Sequence, residues 1–188
     1  KTSFISCFQN LFLFIIAILL KMKTFLRTAL ERSISVVAFI FPFIELSYYF
    51  GAKVFLSTES ILLKIFYLNN IQKLTNFYQN NVYLIFILMI GIFIGCSRGS
   101  LPLSKYARFN IIQAILLNII CSCIGSIYTF LPVILRESII GITIANFLYL
   151  GVILLIVYSS ILIYFGRYPK IPVISEAAKL QVQRGYSD

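Results

Sequence analysis

The chain has 188 residues, 60% of them apolar and 12% charged, with a mean hydropathy of +0.96 and a net charge of +10. A soluble globular domain is excluded, because 22 charged side chains gathered between apolar runs cannot supply the polar exterior it needs. The balance is that of an all-α integral membrane protein, and the hydrophobic runs predict a bundle of four transmembrane helices.

In chain order, the first run is Phe4 to Leu20. Its 17 apolar residues sit at the lower limit for a span. The same run is compatible with a signal-peptide core or with sequence upstream of a start at Met22, so residues 1–23 form an apolar segment with no assigned role. Residues 24–170 hold the membrane domain. Span one covers about 34–55, with Pro42 providing a kink. Residues Ser57 to Asn81 alternate between the two characters. Ile61, Ile65, Leu68, Ile71 and Leu74 follow helical spacing between Lys64, Asn69, Asn70, Lys73 and Asn76, which predicts an amphipathic helix lying in the interface. Span two follows at about 80–97. It contains GIFIG, which puts Gly91 and Gly95 at the spacing that lets helix backbones approach closely. Span three runs from 109 to 130 and is stopped by Pro132. Span four, 139–165, opens with Gly141 and Ala145 at the same small-residue spacing. These four small residues are the candidates for helix packing, within the bundle or against a partner. Residues 171–188 read as a C-terminal tail on the same side as the start of the bundle.

Chemistry is not expected. There is no histidine, and Cys7, Cys96, Cys121 and Cys123 lie inside apolar runs or at their edges, so neither a catalytic base nor a metal-ligand set is legible. No catalytic site, cofactor or metal is assigned. The basic residues are spread along membrane flanks with no groove for bases, so nucleic acid is excluded as a partner and anionic lipid headgroups are favoured.

Those basic residues also predict orientation. With four spans, one side holds Lys21, Lys23, Arg27, Arg32, Arg98, Lys105, Arg108, Arg167, Lys170, Lys179 and Arg184, and the other holds Lys53, Lys64, Lys73 and Arg136. Eleven against four on short loops places both ends of the bundle on the side where the ribosome works.

Two features break the apolar pattern. Span three opens as RFNIIQAILLN, where Arg108 is expected to snorkel toward headgroups and Asn110, Gln113 and Asn118 fall within an arc of roughly 140°. In lipid such amides must turn inward, either to bond neighbouring helices or to line a hydrated space, leaving Ile115 and Leu116 to face the acyl chains. In FPFIELSYY, Glu45 lies near the middle of span one, at a depth where an ionisable group is costly and is paired or functional.

RFNIIQAILLN, Arg108 to Asn118, is similar to the RFN-x-x-QA signature of the 20 kDa subunit family of the Tic translocon, which imports proteins across the chloroplast inner envelope, and of its cyanobacterial relatives. The tail YPKIPVISEAAKLQ, Tyr168 to Gln181, resembles the motif that closes that family, and ERSISVVAFIFPFIELSYYFG, Glu31 to Gly51, resembles its first span. The resemblance implies a four-span import subunit of the inner envelope with both bundle ends and the tail in the stroma, working with other translocon subunits on precursor proteins in transit. It implies a path lined by Glu45, Asn110, Gln113 and Asn118, with Arg98 and Arg108 at a stromal mouth. The richness in Ile, Phe, Asn, Lys and Tyr suggests a plastid-encoded algal member. A small structural subunit of a photosynthetic or respiratory complex and a small-solute transporter stay open as alternatives.

Overall fold

A computed structural model of the chain describes residues 26–184, so the apolar run before Met22 lies outside the described residues. Among them the chain is helical and forms no strand: α1 (Leu26–Leu56), α2 (Ile61–Asn80), α3 (Val82–Arg98), α4 (Lys105–Phe130), α5 (Val133–Glu137), α6 (Ile139–Tyr164) and α7 (Ile174–Arg184). Helices α1, α4 and α6 are long and apolar enough to cross a membrane, and the α2–α3 pair, bent by 81°, supplies a fourth span if counted as one. Helix α3 alone has 17 residues, or about 26 Å at the usual rise, close to the hydrocarbon thickness of about 30 Å.

Each boundary has a local cause. Ser104 and Ser138 cap α4 and α6 by accepting the Ala107 and Gly141 amides, both at 3.2 Å. Gly99 ends α3 in the left-handed conformation at φ 73°. Pro42 has no amide to give, and the helix loosens around it: Phe39 forms a turn with its amide on Val36 O at 3.0 Å, and Ser47–Gly51 then widens into a π-helical stretch. A second π stretch, Tyr67–Ile71, interrupts α2 and packs against the first.

Helix α4 is the centre of the bundle, enclosed by α1, α3 and α7. Its burial follows from its polarity. The α6 window has a mean hydropathy of 2.5 and is only 17% buried, whereas the less apolar α4, at 2.0, is 56% buried. Helix α6 turns one seam inward, Ala145, Tyr149, Ser159 and Ile163, and leaves Phe147 and Leu154 outside. The enclosure of α4 also corrects the expectation for Ile115. Ile115 is buried among Ile111, Ile112 and Cys96, so it does not face lipid, and Leu116 is partly buried against the same group.

Helix α2 buries one seam, Tyr67, Ile71, Thr75 and Tyr78, and leaves apolar residues such as Leu62 and Phe77 exposed together with polar ones such as Lys73 and Asn76. The seam descends along α1: the Tyr67 ring stacks on Phe55 at 5.3 Å, while Tyr78 meets Glu45, further toward the α1 start. An amphipathic helix was expected here, and its buried seam packs along α1 as far as Glu45.

The far end of α1 is fastened to the α4–α6 connection. Lys53 Nζ donates to Arg136 O and to Glu137 Oε1, both at 2.8 Å. This hydrogen bond and charge hold the Glu137 carboxyl below the usual carboxylate range. Because the folded value is the depressed one, the pair contributes above the ordinary carboxylate range and its contribution is lost as pH falls through the lowered value. The small difference in thermal stability between wild type and Glu137→Gln is therefore expected at neutral pH and should vanish in acid; a pH-independent difference would mean that the pair contributes no charge interaction.

Candidate functional site

The deepest acid, Glu45, is 4% exposed and accepts a hydrogen bond from the Tyr78 hydroxyl. Placement follows from the two helices: Glu45 is on α1 between Pro42 and the π stretch, and Tyr78 closes the α2 seam three residues before the elbow at Asn81. Beside the pair runs a cleft of about 490 Å³ between α1, α3 and α4, bordered by Tyr48, Tyr49, Tyr83, Asn118 and Ser122. Its wall is fixed by close packing. The Tyr49 ring lies over Gly125, where a Cβ would come within 2.2 Å of it, and the Tyr49 hydroxyl shares a 3.2 Å hydrogen bond with Ser126 Oγ. Asn118 Oδ1 is buried with no hydrogen-bond donor among the described residues. One carboxyl group, a carboxamide and several phenols thus border a recess whose remaining wall, with Val82, Phe86, Met89 and Ile119, is apolar. Such a set binds water or polar backbone by hydrogen bonding. Among the described residues no group of His, Cys, Asp and Glu assembles that could hold a metal.

The span-three amides divide between two places. Gln113 is 0% exposed and donates to Ser175 Oγ at 2.7 Å and to Pro169 O at 3.3 Å, so it fastens α7 and does not reach the cleft. Five residues of helix turn it about 140° away from Asn118, which accounts for the separation. Asn110 is buried on the same half of α4, and neither of its amide atoms has a partner among the described residues. Of the four expected lining residues, the structure therefore brings together Glu45 and Asn118.

The other expectations are placed as follows. Arg98 is exposed at the end of α3. Arg108 is 3% exposed, buried in the second turn of α4 near Cys96, and does not snorkel to headgroups, because α7 and the end of α3 cover that turn. Among the described residues, GIFIG does not bring helices together. A Cβ at Gly91 would meet nothing within 4 Å, and one at Gly95 would meet Leu101 from the following loop at 3.0 Å. The pair at the start of α6 does pack. Gly141 lies against the α5 backbone, where a Cβ would be 2.2 Å from Leu135 O, and Ala145 is wholly buried.

Within the C-terminal tail, α7 was not anticipated. Its signal was present in Ile174, Ala178 and Val182, an i, i+4, i+8 stripe that the structure buries against α3 and α4. Ser175 joins this helix to the core, accepting the Ile171 amide at 2.7 Å as well as the Gln113 amide. The turn before it holds Val173 at φ 65°, a left-handed geometry that a β-branched residue adopts only under constraint. Ser175→Ala should leave the buried Ile171 amide without its acceptor and Gln113 with Pro169 O alone, and weaken α7 docking by roughly 1–3 kcal/mol. Tryptic cleavage at the exposed Lys170 and Lys179 is then expected to quicken by about tenfold or more, and unchanged cleavage would mean that apolar contacts alone hold the helix.

Fold and site together define a polytopic helical membrane protein that keeps its polar groups inside. Comparison with known proteins places it further. The chain belongs to the family described as chloroplast import apparatus Tic20-like, which it matches over residues 29–178. It is 31% identical over 152 residues to the Tic20 family protein Ycf60 of Cyanidium caldarium, covering 81% of this chain and 73% of that protein. With Ycf60 of Gracilaria tenuistipitata var. liui the identity is 30% over 158 residues, covering 82% and 76%. A Tic20 family protein of Synechocystis is 34% identical over 155 residues, covering 81% and 93%. The family description makes this an import-related plastid membrane protein, and the Ycf60 relatives come from red algal plastid genomes.

Proposed function

We propose that this chain is a subunit of the protein translocon of the plastid inner envelope, and that the cleft bordered by Glu45, Tyr78 and Asn118 lies along the route of the precursor. The observation that carries this reading is the cleft, with the polar groups of Glu45, Tyr78 and Asn118 set in an otherwise largely apolar wall. In a family described by protein import, it is where this bundle offers hydrogen-bonding groups at membrane depth to something passing beside it. An extended precursor exposes a backbone amide and carbonyl at every residue, and phenols and a carboxamide can exchange hydrogen bonds with them without reading sequence. A cleft of about 490 Å³ on the side of one bundle does not enclose a polypeptide, so further subunits or copies complete the wall. Gly91, with open space beside it, belongs to the face such a neighbour would meet. Eleven basic residues against four orient both bundle ends toward the stroma, with Arg98 at the mouth. A relative in Synechocystis shows that the family is not confined to plastids, so the import role rests on the cleft as well as on the family.

The test is site-specific photocrosslinking in isolated plastids with a precursor arrested in transit. Probes at Asn118, Ser122 and Tyr83 are expected to capture the precursor, and probes at Phe147 and Leu154 on the outer face of α6 are not. A probe at Gln113 should report α7 and not the precursor. If import proceeds and the three cleft positions yield no precursor adduct, the subunit is a scaffold beside the route.

A further inference from the structure

A second cleft, of about 710 Å³, opens between the first turns of the described α1 and the end of α6. Thr28, Arg32 and Ser33 supply its polar lining, and Ala29, Val36, Val37 and Phe165 its apolar lining, with Val36 and Val37 further along α1 from Arg32. Arg32 is held across the cleft by α6: its Nη1 donates to Tyr164 O at 3.2 Å, and Gly166 makes room for it, since a Cβ there would lie 2.5 Å from Nη2. The φ of 73° at Gly166 keeps that position open to the guanidinium.

The charge of Arg32 has no counter-ion in the described chain. Among the described residues the ion pairs are Arg27 with Glu31, at 3.2 Å, and Lys53 with Glu137, so the neighbouring acid Glu31 is engaged by Arg27. A carbonyl satisfies one N–H of five and neutralises nothing. The result is a positioned cation at the head of an apolar channel, at the end of the bundle that carries most of the basic residues. Tyr164 and Phe165 are exposed beside it, as lipid-facing side chains at a membrane boundary are.

From this we infer that the cleft is a binding site for an anionic phospholipid, with its phosphate on the Arg32 guanidinium and the upper part of an acyl chain along Val36, Val37 and Phe165. A guanidinium matches two phosphate oxygens with parallel N–H donors, and the attraction is strengthened where one side is apolar. A free inorganic anion would leave the apolar floor uncovered, and a zwitterionic lipid would bring its own cation to the same place. The site joins α1 to α6 at their basic ends and is separate from the cleft at Glu45.

The test is lipid retention by the purified full chain, read by native mass spectrometry after reconstitution in nanodiscs of phosphatidylglycerol or of phosphatidylcholine alone. One phosphatidylglycerol per chain is expected to persist through delipidation, with phosphatidylcholine lost. Arg32→Gln should lower that retention by about tenfold or more. Because this change also removes the contact with Tyr164 O, Ser33→Phe provides an independent reading: it fills the cleft, leaves Arg32 in place and should lower retention to a similar degree. The proposal is overturned if both variants retain phosphatidylglycerol as the wild type does, if phosphatidylcholine is held equally well, or if millimolar inorganic phosphate displaces the lipid.

Discussion

Gly125→Ala is expected to destabilise the bundle by about 2–3 kcal/mol, although in an ordinary helix interior the same change stabilises by up to about 1 kcal/mol. The reversal comes from Tyr49. A Cβ at position 125 would lie 2.2 Å from Tyr49 Cδ2 and 2.3 Å from Cγ, distances at which atoms cannot coexist. The ring has no easy retreat, because Tyr48 meets it edge-on at 4.9 Å and its hydroxyl is tied to Ser126 at 3.2 Å. Either the ring swings out and opens the cleft wall, or α1 moves away from α4 and loosens the core around Phe50 and Leu117. The decisive measurement is a double-mutant cycle on thermal or denaturant unfolding of the purified protein. Tyr49→Ala creates space that the alanine methyl can occupy, so the double variant should be more stable than the sum of the single changes by over ~1 kcal/mol. Additive losses, or an Ala variant more stable than wild type, would show that the close approach does not limit packing here.

Gly125 marks where sequence reading stopped. Its spacing to other small residues gave no signal, whereas Gly91 and Gly95 gave a strong one and bring no helices together among the described residues. A GxxxG pattern states that a backbone could be approached; what approaches is decided by tertiary placement, and here an aromatic ring found Gly125. The large features were legible because they rest on composition and period. Apolar length gave the neighbourhoods of α1, α4 and α6, although the described α1 starts at Leu26, well before the expected 34, and Pro132 marked the end of α4; the serine caps of α4 and α6 were not read from the sequence. Inward turning of the amides was legible too, since hydrocarbon leaves them no alternative, but which amide meets which neighbour was not. Gln113 went to Ser175 because α7 folds back, and α7 was missed because a short stripe of Ile174, Ala178 and Val182 is outweighed by the polar residues around it. Arg108 was misplaced for the same reason: snorkelling assumes a free edge, and α7 covers that edge. The π stretches had no sequence signature that would have announced them, and they set where Tyr48 and Tyr67 point.

Glu45 and Tyr78 support the second large prediction, because they separate a structural bond from a functional one. Tyr78→Phe keeps the ring and removes the hydroxyl that Glu45 accepts from, leaving a carboxyl 4% exposed without that donor, and it should cost about 1.5–3 kcal/mol. Glu45→Gln retains an acceptor oxygen at the same place and should cost less than about 1 kcal/mol. Removing both partners together, as Glu45→Leu with Tyr78→Phe, eliminates the unsatisfied group, so the double variant should be more stable than Tyr78→Phe alone. Unfolding of the purified variants checks that order, and a double variant no better than the single one would mean that the carboxyl has other obligations in the bundle. The stabilised double variant then becomes an instrument for the import reading. It folds, it retains Tyr49, Asn118 and the cleft outline, and it lacks the one acid at that depth. If plastids carrying it import precursors at the wild-type rate, the pair only fastens α2 to α1. If the folded variant assembles and import falls by about tenfold or more, the carboxyl acts on what passes through the cleft, since a loss of stability has already been excluded as the cause.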